Sequence, residues 1–400
     1  MATDPPTPLH TILTFLLHQW LLIGIGIACI LAYYFPSVAK HGGTIHAEYT
    51  ILYGAMALIF LISGLTIPRD KLLRHARNLR LHLLVQSISF LLVPALLLAI
   101  VHLILAADSA PRIDPALLAG YLFTAAIPTT IASNVVMTRA ATGDDAAALV
   151  EVLLANLLGP FVSPAWTLTI LPHAPAFDPW RAATADLAAM YRAVFRQLGL
   201  GVLLPLVVGQ AVRWSWPAPT ARVVERARLA KVGSFCMLLL VWSTFSSCFA
   251  TGALQSLAAE NIVFVVCFNV ALYLALTGVS FGLCRLPELW AGDADSRGDG
   301  GRRWKRVFRS ISPEETIAVC FCAPAKSTSL GIPLLYAMWA PLDLLVKAKT
   351  SVPVLLYTTE QICVAHVLVQ VFRRWRARVD DKQEGEPEMA EGCESRSISV

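Results

Sequence analysis

Long uncharged apolar runs, separated by short basic clusters, dominate this 400-residue sequence. A run of about 18 or more apolar residues is long enough to cross a bilayer as a helix. Only 15% of the residues are charged and 56% are apolar, which leaves too little charge to cover a soluble protein of this length. The sequence therefore predicts an all-α polytopic membrane protein.

Ten such runs can be placed along the chain, so we predict ten transmembrane helices. Residues 1–14 are predicted to be a cytoplasmic N-terminus, 286–313 a flexible cytoplasmic loop and 373–400 a disordered, acidic cytoplasmic tail. The predicted spans lie near 15–36, 49–67, 80–105, 116–138 and 145–171 in a first half (15–171), and near 189–212, 229–250, 261–284, 314–339 and 350–372 in a second half (189–372).

The basic residues test this topology. With ten spans, 24 of the 32 Lys and Arg residues fall on one side of the membrane and seven on the other, while Lys326 lies inside span 9. Positive residues accumulate on the cytoplasmic side, so both termini are expected in the cytoplasm. We predict the plasma membrane first and a secretory-pathway membrane second. Topology accounts for the net charge of +5, and no nucleic-acid partner is expected.

Spans 4 and 9 differ from the others because each carries Pro beside a polar cluster, in segments 127–134 and 322–333. Proline removes a backbone donor and interrupts a helix. Unpaired backbone is tolerated at membrane depth only where it is buried in protein or lines a cavity. Matched interruptions five spans apart indicate two inverted five-helix repeats with helices 4 and 9 broken and crossing. The alternative is that each proline only kinks its helix for packing.

The candidate substrate- or ion-binding residues are the polar groups of these segments and the ionisable and amide groups of spans 5 and 10. An ionisable group within a span is costly to bury, so we expect Lys326 to pair with Glu151 or Glu360. Glu360 can instead lie near a span end, and the amides can simply link helices. The set comprises Thr129, Thr130, Ser133, Asn134, Glu151, Asn156, Cys322, Lys326, Ser327, Thr328, Glu360 and Gln361.

At these residues the sequence resembles the bile acid:sodium symporter superfamily, and more closely the branch of sodium/bile acid cotransporter 7 and the fungal calcium-uptake regulators. The similarity covers roughly residues 15–375 and depends on the order of several short motifs. The matching stretches are Ser63-Gly64-Leu65-Thr66, Leu81-His82, Ser133-Asn134, Lys326-Ser327, Leu330-Gly331-Ile332-Pro333, Ser351-Val352-Pro353 and Gln361.

The resemblance implies a panel domain (helices 1, 2, 6 and 7) that moves against a core domain (helices 3–5 and 8–10). In the bile-acid branch, polar groups at the crossing bind sodium, and Ser133 and Asn134 match positions used there. The acidic sodium ligand of helix 9 is not matched, because Cys322 stands at that position and Lys326 supplies a positive charge nearby. We hypothesise that the Lys326 ammonium takes the electrostatic role of a bound cation. Sodium and a proton both remain open as the coupling ion.

Two functions follow from these features. The first is a secondary-active carrier for an organic anion or another small solute, working by alternating access and linked to calcium homeostasis. The alternative is a non-transporting membrane regulator that restrains calcium influx through a channel or regulatory partner. The lipid bilayer is the expected partner in both cases. No enzyme, cofactor or metal site is predicted, because the sequence lacks a Ser–His–Asp order, paired intramembrane aspartates and a His-Glu-x-x-His motif.

Overall fold

The computed structural model describes residues 20–66, 69–107, 113–130, 132–183, 188, 192, 195–196, 199–252, 254–294 and 311–397. All regular elements in these residues are helical. The principal helices are α1 (Trp20–Tyr34), α2 (Ala47–Thr66), α3 (Arg69–Ala76), α4 (Leu79–Ala107), α5 (Pro115–Ala126), α6 (Ala132–Ala140), α7 (Asp145–Ile170), α8 (Gly199–Ser215), α9 (Pro217–Arg226), α10 (Leu229–Ala250), α11 (Ala259–Ala294), α12 (Pro313–Cys322), α13 (Thr328–Met338) and α14 (Leu344–Ser397), with shorter turns at Pro36–Ala39, Pro175–Phe177 and Asp178–Ala182.

Six of these helices are long and apolar enough to cross a membrane. They are α2, α4, α7, the Lys231–Ala250 part of α10, the Ala259–Leu286 part of α11 and the Leu344–Asp381 part of α14. Three shorter apolar helices accompany them, at Ile23–Tyr34, Pro115–Ala126 and Gly199–Ser215. The prediction of an all-helical protein with several membrane-spanning helices is therefore confirmed for the described residues.

The helices pack in two groups. In the first, α2 lies against α8 and α1 lies against α10. The α2–α8 crossing is close because two glycines face each other: a Cβ built on Gly64 would lie 2.6 Å from the Leu206 carbonyl oxygen, and one on Gly209 would lie 2.6 Å from that of Leu61. In the second group, α14 lies against α5 and α11, and α7 lies against α6 and α12.

The two proline-containing segments are not helical at their centres. Helix α5 ends at Ala126 and α6 begins at Ala132, while α12 ends at Cys322 and α13 begins at Thr328. Pro128 cannot donate a backbone hydrogen bond, and it disfavours the helical conformation for the residue before it. Ile127 accordingly has an extended backbone, with ψ of 154°. Peptide groups of both segments therefore lack helical partners and can form hydrogen bonds with side chains of neighbouring helices.

The ends of the chain differ in part from the prediction. Helix α14 continues to Ser397, where the sequence predicted a disordered tail from residue 373. Arg376 forms ion pairs with Glu314 on α12 and with Asp380 one turn later, which favours continuation of the helix beyond the apolar span. Helix α11 runs nine residues into the predicted 286–313 loop, most of whose remainder lies outside the described residues, as do residues 1–14.

Candidate functional site

The Lys326 side chain is buried at the centre of the second group of helices, with 1% of its surface exposed. Its ammonium donates to the carbonyl oxygens of Ser89 (2.9 Å), Ala125 (2.9 Å) and Ile127 (3.0 Å), and to the Ser89 hydroxyl at 3.2 Å. The ring of Phe90 lies 5.8 Å from the same nitrogen. A positive charge is thus enclosed by oxygen atoms, three of which belong to the backbone.

These carbonyl groups are available because proline interrupts two helices. Ala125 and Ile127 lie at the end of α5, where the last carbonyls of a helix have no intrahelical partner. Ser89 lies in a π-helical turn of α4 (Ile88–Leu92), in which the Val93 amide bonds to the carbonyl of Ile88. With the same spacing of five residues, the donor to the Ser89 carbonyl would be Pro94. Because proline has no N–H, this carbonyl is free to accept from the lysine.

Hydrogen bonds to the ammonium offset the cost of burying it. Insertion scales assign about 2.5–3.5 kcal/mol to a lysine at the centre of a bilayer. A hydrogen bond to a charged group contributes about 1.5–3 kcal/mol. Two or more of the four observed contacts are therefore enough to offset this cost of burial without a carboxylate partner.

The backbone of Lys326 is held by α14. Gln361 accepts from the Lys326 amide through Oε1 (2.9 Å) and donates to its carbonyl through Nε2 (2.8 Å). The Thr358 hydroxyl donates to the same carbonyl at 3.2 Å, and the Tyr357 hydroxyl donates to the Pro324 carbonyl at 2.8 Å. The side chains of one helix thus satisfy the peptide groups that the interruption between α12 and α13 leaves open.

Helices α6 and α7 do the same for the first interrupted segment. The Asn156 amide on α7 donates to the Thr129 carbonyl at 2.9 Å, and the Ser163 hydroxyl donates to the Ala126 carbonyl at 2.9 Å. The Asn134 amide on α6 donates to the Thr129 hydroxyl at 2.7 Å. Asn156 and Gln361 thus occupy equivalent roles, one for each segment.

The two segments touch directly. The Ser327 amide donates to the Pro128 carbonyl at 2.9 Å. Gly331 packs against Ile127 so closely that a Cβ on the glycine would lie 2.8 Å from the isoleucine methyl group. Glycine at this position allows the two segments to approach.

A small cavity of about 40 Å³ lies beside this contact. Its volume holds one or a few water molecules. Three threonine hydroxyl groups and an apolar wall from α2 and α10 surround it. The lining residues are Met56, Ile59, Phe60, Thr130, Met237, Leu240, Val241, Thr328, Thr358 and Ile362.

The predicted partners of Lys326 lie elsewhere, and that expectation is wrong for the described residues. Glu151 is buried on α7, where one carboxylate oxygen lies 2.6 Å from His82 Nδ1 and the other accepts from Gln86 Nε2 at 3.0 Å. Glu360 is partly buried on α14, near Asn269 of α11. The ammonium already contacts four oxygen atoms, so it does not require either carboxylate as a partner.

The other predicted residues fall into three groups. Thr129, Asn134, Asn156, Ser327 and Gln361 form the hydrogen bonds at and around the contact of the two segments, and Thr130 and Thr328 line the cavity. Ser133 is buried, and its hydroxyl oxygen has no hydrogen-bond partner in the described part of the chain. Cys322 is also buried, with Sγ 3.8 Å from the Ala148 carbonyl oxygen.

The sequence analysis missed Ser89, His82, Gln86, Tyr357 and Thr358 as site residues. Pro94 was the available signal for Ser89, because a proline within an apolar span leaves a carbonyl free. The carbonyls of Ala125 and Ile127 carry no side-chain signal, since any residue there would supply the same oxygen atom.

Comparison with known proteins identifies the family of this chain. The model of the SBF-like CPA transporter family matches residues 19–374. The chain is 35% identical to the solute carrier RCH1 of Candida albicans over 399 residues, which is 96% of this chain and 95% of that protein. It is 34% identical to RCH1 of Saccharomyces cerevisiae (92% of this chain, 86% of that protein). It is 28% identical to sodium/bile acid cotransporter 7 of Mus musculus (89% and 93%).

Proposed function

The chain belongs to the SBF-like CPA transporter family, and from this we propose that it is a secondary-active carrier for a small organic anion or related solute, with the Lys326 ammonium in place of a coupling cation. The observation that carries the proposal is the enclosure of this ammonium by three backbone carbonyls and a hydroxyl. A multi-pass membrane protein of a transporter family has the lipid bilayer and a small solute as its partners.

We propose ten spans in two inverted repeats, with α5 and α6 forming span 4 and α12 and α13 forming span 9. The hydrogen bond from Ser327 to Pro128 supports a crossing of these spans at their non-helical centres. The equivalent roles of Asn156 and Gln361, each on the helix that follows an interrupted span, support the repeat. An odd number of spans in each half would invert the second repeat relative to the first.

We further propose alternating access by movement of a panel domain against a core domain. Helices α1, α2, α8 and α10 pack together as the panel would, and the interrupted spans pack with α4, α7, α11 and α14. The cavity lies between α2 and α10 on one side and the threonines of the interrupted spans on the other. Its small volume corresponds to a closed state, which must open to admit an organic solute.

A tethered cation has two consequences for transport. It draws an anionic group toward the crossing, because the charge lies in a medium where electrostatic attraction is stronger than in water. It also cannot dissociate, so transport needs no sodium ion at this position. We therefore propose sodium-independent uptake.

Uptake by the purified protein in liposomes tests this function. Radiolabelled probes would include a bile acid, a sulfated steroid and small carboxylates, each with sodium or potassium as the only cation. The expected result is uptake of at least one anion at equal rates in both salts. Uptake that requires sodium would contradict the role of Lys326, and no uptake of any probe would contradict the carrier.

The link to calcium follows from the resemblance to fungal calcium-uptake regulators. We propose that solute transport is what connects this protein to calcium homeostasis. Substitution of Lys326 in a cell that depends on this protein separates the carrier from a non-transporting regulator. A regulator acting through partner proteins would keep its effect on calcium influx in that variant, whereas a carrier would lose it.

We propose the plasma membrane as the location, with both termini in the cytoplasm. The distribution of Lys and Arg supports this orientation. Arg69 lies over the exposed ring of Trp214, 4.4 Å from its centre, so a basic residue and an interfacial aromatic residue share this surface. Labelling of cysteines introduced at positions 70 and 225 in intact cells would test the orientation, since both should be protected.

A further inference from the structure

A second buried polar pair lies between α4 and α7, away from the Lys326 contacts. His82 Nδ1 is 2.6 Å from Glu151 Oε1, and the side chains are 11% and 1% exposed. A separation this short is typical of a hydrogen bond in which one group is charged. The pair lies seven residues, about 10 Å along α4, from the Ser89 group that holds the ammonium.

Both nitrogen atoms of the His82 ring face acceptors. Nδ1 faces the Glu151 carboxylate, and Nε2 lies 3.2 Å from the Ala76 carbonyl oxygen. A neutral imidazole has one N–H, which can satisfy only one of these contacts. The observed geometry therefore requires one more proton than a neutral histidine and an ionised glutamate contain. That proton lies on the ring or on the carboxyl group, and the pair is electrically neutral in either form.

The other described contacts of the pair bring no positively charged side chain to it. The extra proton therefore supplies the positive charge of the pair. Gln86 Nε2 donates to the second carboxylate oxygen of Glu151 (3.0 Å) and to its backbone carbonyl (3.1 Å). The titratable groups that face the pair from neighbouring helices are His75 on α3 and Cys322 on α12. Neither lies within ion-pair distance of Glu151 in the described part of the chain.

We propose that His82 and Glu151 form a proton-binding site, which takes up and releases one proton through the His82 edge. The route follows from exposure, because the glutamate is fully enclosed and the imidazole borders the turn between α3 and α4. Movement of that turn would withdraw the Ala76 carbonyl and open Nε2 to water. Coupling of this proton to solute movement rests on the function proposed above, whereas proton binding does not.

Thermal unfolding of the purified protein, followed between pH 7 and 9 without any solute, tests proton binding. The folded geometry contains one proton more than a neutral histidine and an ionised glutamate, which are the forms of these residues in an unfolded chain above pH 7. Stability should therefore fall with rising pH, on the order of 2 °C in Tm per pH unit. All variants are compared at one scan rate, so that irreversible unfolding affects them equally.

Glu151→Gln is the informative variant because it can fold without the proton. Its amide can donate to Nδ1 of a neutral His82, whose Nε2–H still donates to Ala76, and it still accepts from Gln86. We expect its Tm to lose this part of the pH dependence. His102→Gln is the control, since His102 is exposed on the same helix and bonds to the Leu98 carbonyl of its own helix; it should keep the wild-type profile.

Parallel pH profiles for wild type and Glu151→Gln would overturn the proposal. His82→Gln provides the second measurement, because its amide can donate to an ionised Glu151 without the extra proton, and it should match Glu151→Gln. If the pH dependence is lost in both variants but the protein transports none of the probes, the proton site stands and the carrier function fails. If the protein transports a probe but both variants keep the pH dependence of the wild-type Tm, the carrier function stands and the proton site fails.

Discussion

The amide of Ser327 donates to the carbonyl oxygen of Pro128 at 2.9 Å, although 198 residues of chain separate them. Each residue lies in a segment that proline prevents from forming helix. A backbone hydrogen bond between two such segments requires that they meet in the protein interior, where an unpaired peptide group would be costly.

Replacement of Lys326 by Gln should reduce uptake at least tenfold in sodium-free medium. The amide is neutral and has two N–H donors, so the carbonyls of Ser89, Ala125 and Ile127 lose their cation. Liposome uptake across a sodium and a pH series measures the effect. Lys347→Gln is the control, since Lys347 bonds to the Ala340 carbonyl near the surface. Unchanged uptake and cation dependence in the Lys326 variant would remove the tethered-cation hypothesis.

Gln361→Ala should destabilise the protein by roughly 2–4 kcal/mol. The substitution leaves the amide of Lys326 without its side-chain partner and leaves the carbonyl with only the longer bond from Thr358, and a buried unsatisfied group costs about 1–3 kcal/mol. Thermal unfolding in detergent compares it with Gln255→Ala, at an exposed position. Equal Tm values for the two variants would mean that Gln361 does not stabilise the interrupted span.

Thr130→Val should weaken solute binding without changing stability. Valine keeps the shape of the cavity wall and removes one hydroxyl, so we expect KM to rise about tenfold if that hydroxyl binds the solute. Uptake kinetics and Tm are measured together. Thr169→Val, at an exposed position whose hydroxyl bonds only to the Ala165 carbonyl, should change neither value. A lower Tm for Thr130→Val would assign the hydroxyl a structural role instead.

Gly64→Ala should lower Tm strongly, because the added methyl group would meet the Leu206 carbonyl oxygen at 2.6 Å and force α2 away from α8. The opposing helix offers backbone atoms there, which cannot rotate away as a side chain can. Gly278→Ala is the matched control, since a Cβ on Gly278 has no atom within 4 Å. We expect the control to be neutral or slightly stabilising, because alanine favours a helix more than glycine does. A Gly64→Ala protein as stable as the control would show that this crossing can relax.

The ion pair between His75 and Asp144 should make stability depend on pH. The hydrogen bond to Asp144 raises the pKa of His75 against the opposing effect of burial, with further contributions from the Asp144 and Glu315 charges. The stability that protonated His75 contributes is therefore fully present below the ordinary histidine pKa of about 6.5. It is lost as the pH rises through the higher pKa that His75 has in the folded protein. Tm measured from pH 5 to 9 should fall less steeply in His75→Gln than in wild type.

The stability that Asp144 contributes depends on pH in the opposite direction. Burial raises the pKa of Asp144, but the hydrogen bonds from His75 and from the amides of Ala146 and Ala147 outweigh burial and lower it. The stability that Asp144 contributes is present above its ordinary pKa and is lost as the pH falls through the lowered value. A Tm profile of His75→Gln that is parallel to wild type across the whole range would contradict both parts.

The family was predicted correctly from short motifs in order along the chain, and the helical, membrane-spanning nature of the protein followed from composition and charge spacing. The pairing of Lys326 with Glu151 or Glu360 was predicted wrongly. That prediction considered only side chains as partners for an ammonium, whereas the structure supplies backbone carbonyls. Sequence patterns do not show which carbonyls lose their helical partners until the positions of the prolines are combined with the packing.

The sequence by itself determined that the chain is helical and spans a membrane several times, because apolar run length and charge act locally along the chain. Only the tertiary structure decided which groups meet: the ammonium of Lys326 with the end of α5, Gln361 with the Lys326 backbone, and His82 with Glu151. These contacts join residues 35 to 201 positions apart. Helix packing, and the cost of leaving a buried polar group unsatisfied, decide which residues pair. Neither can be read from a short stretch of sequence.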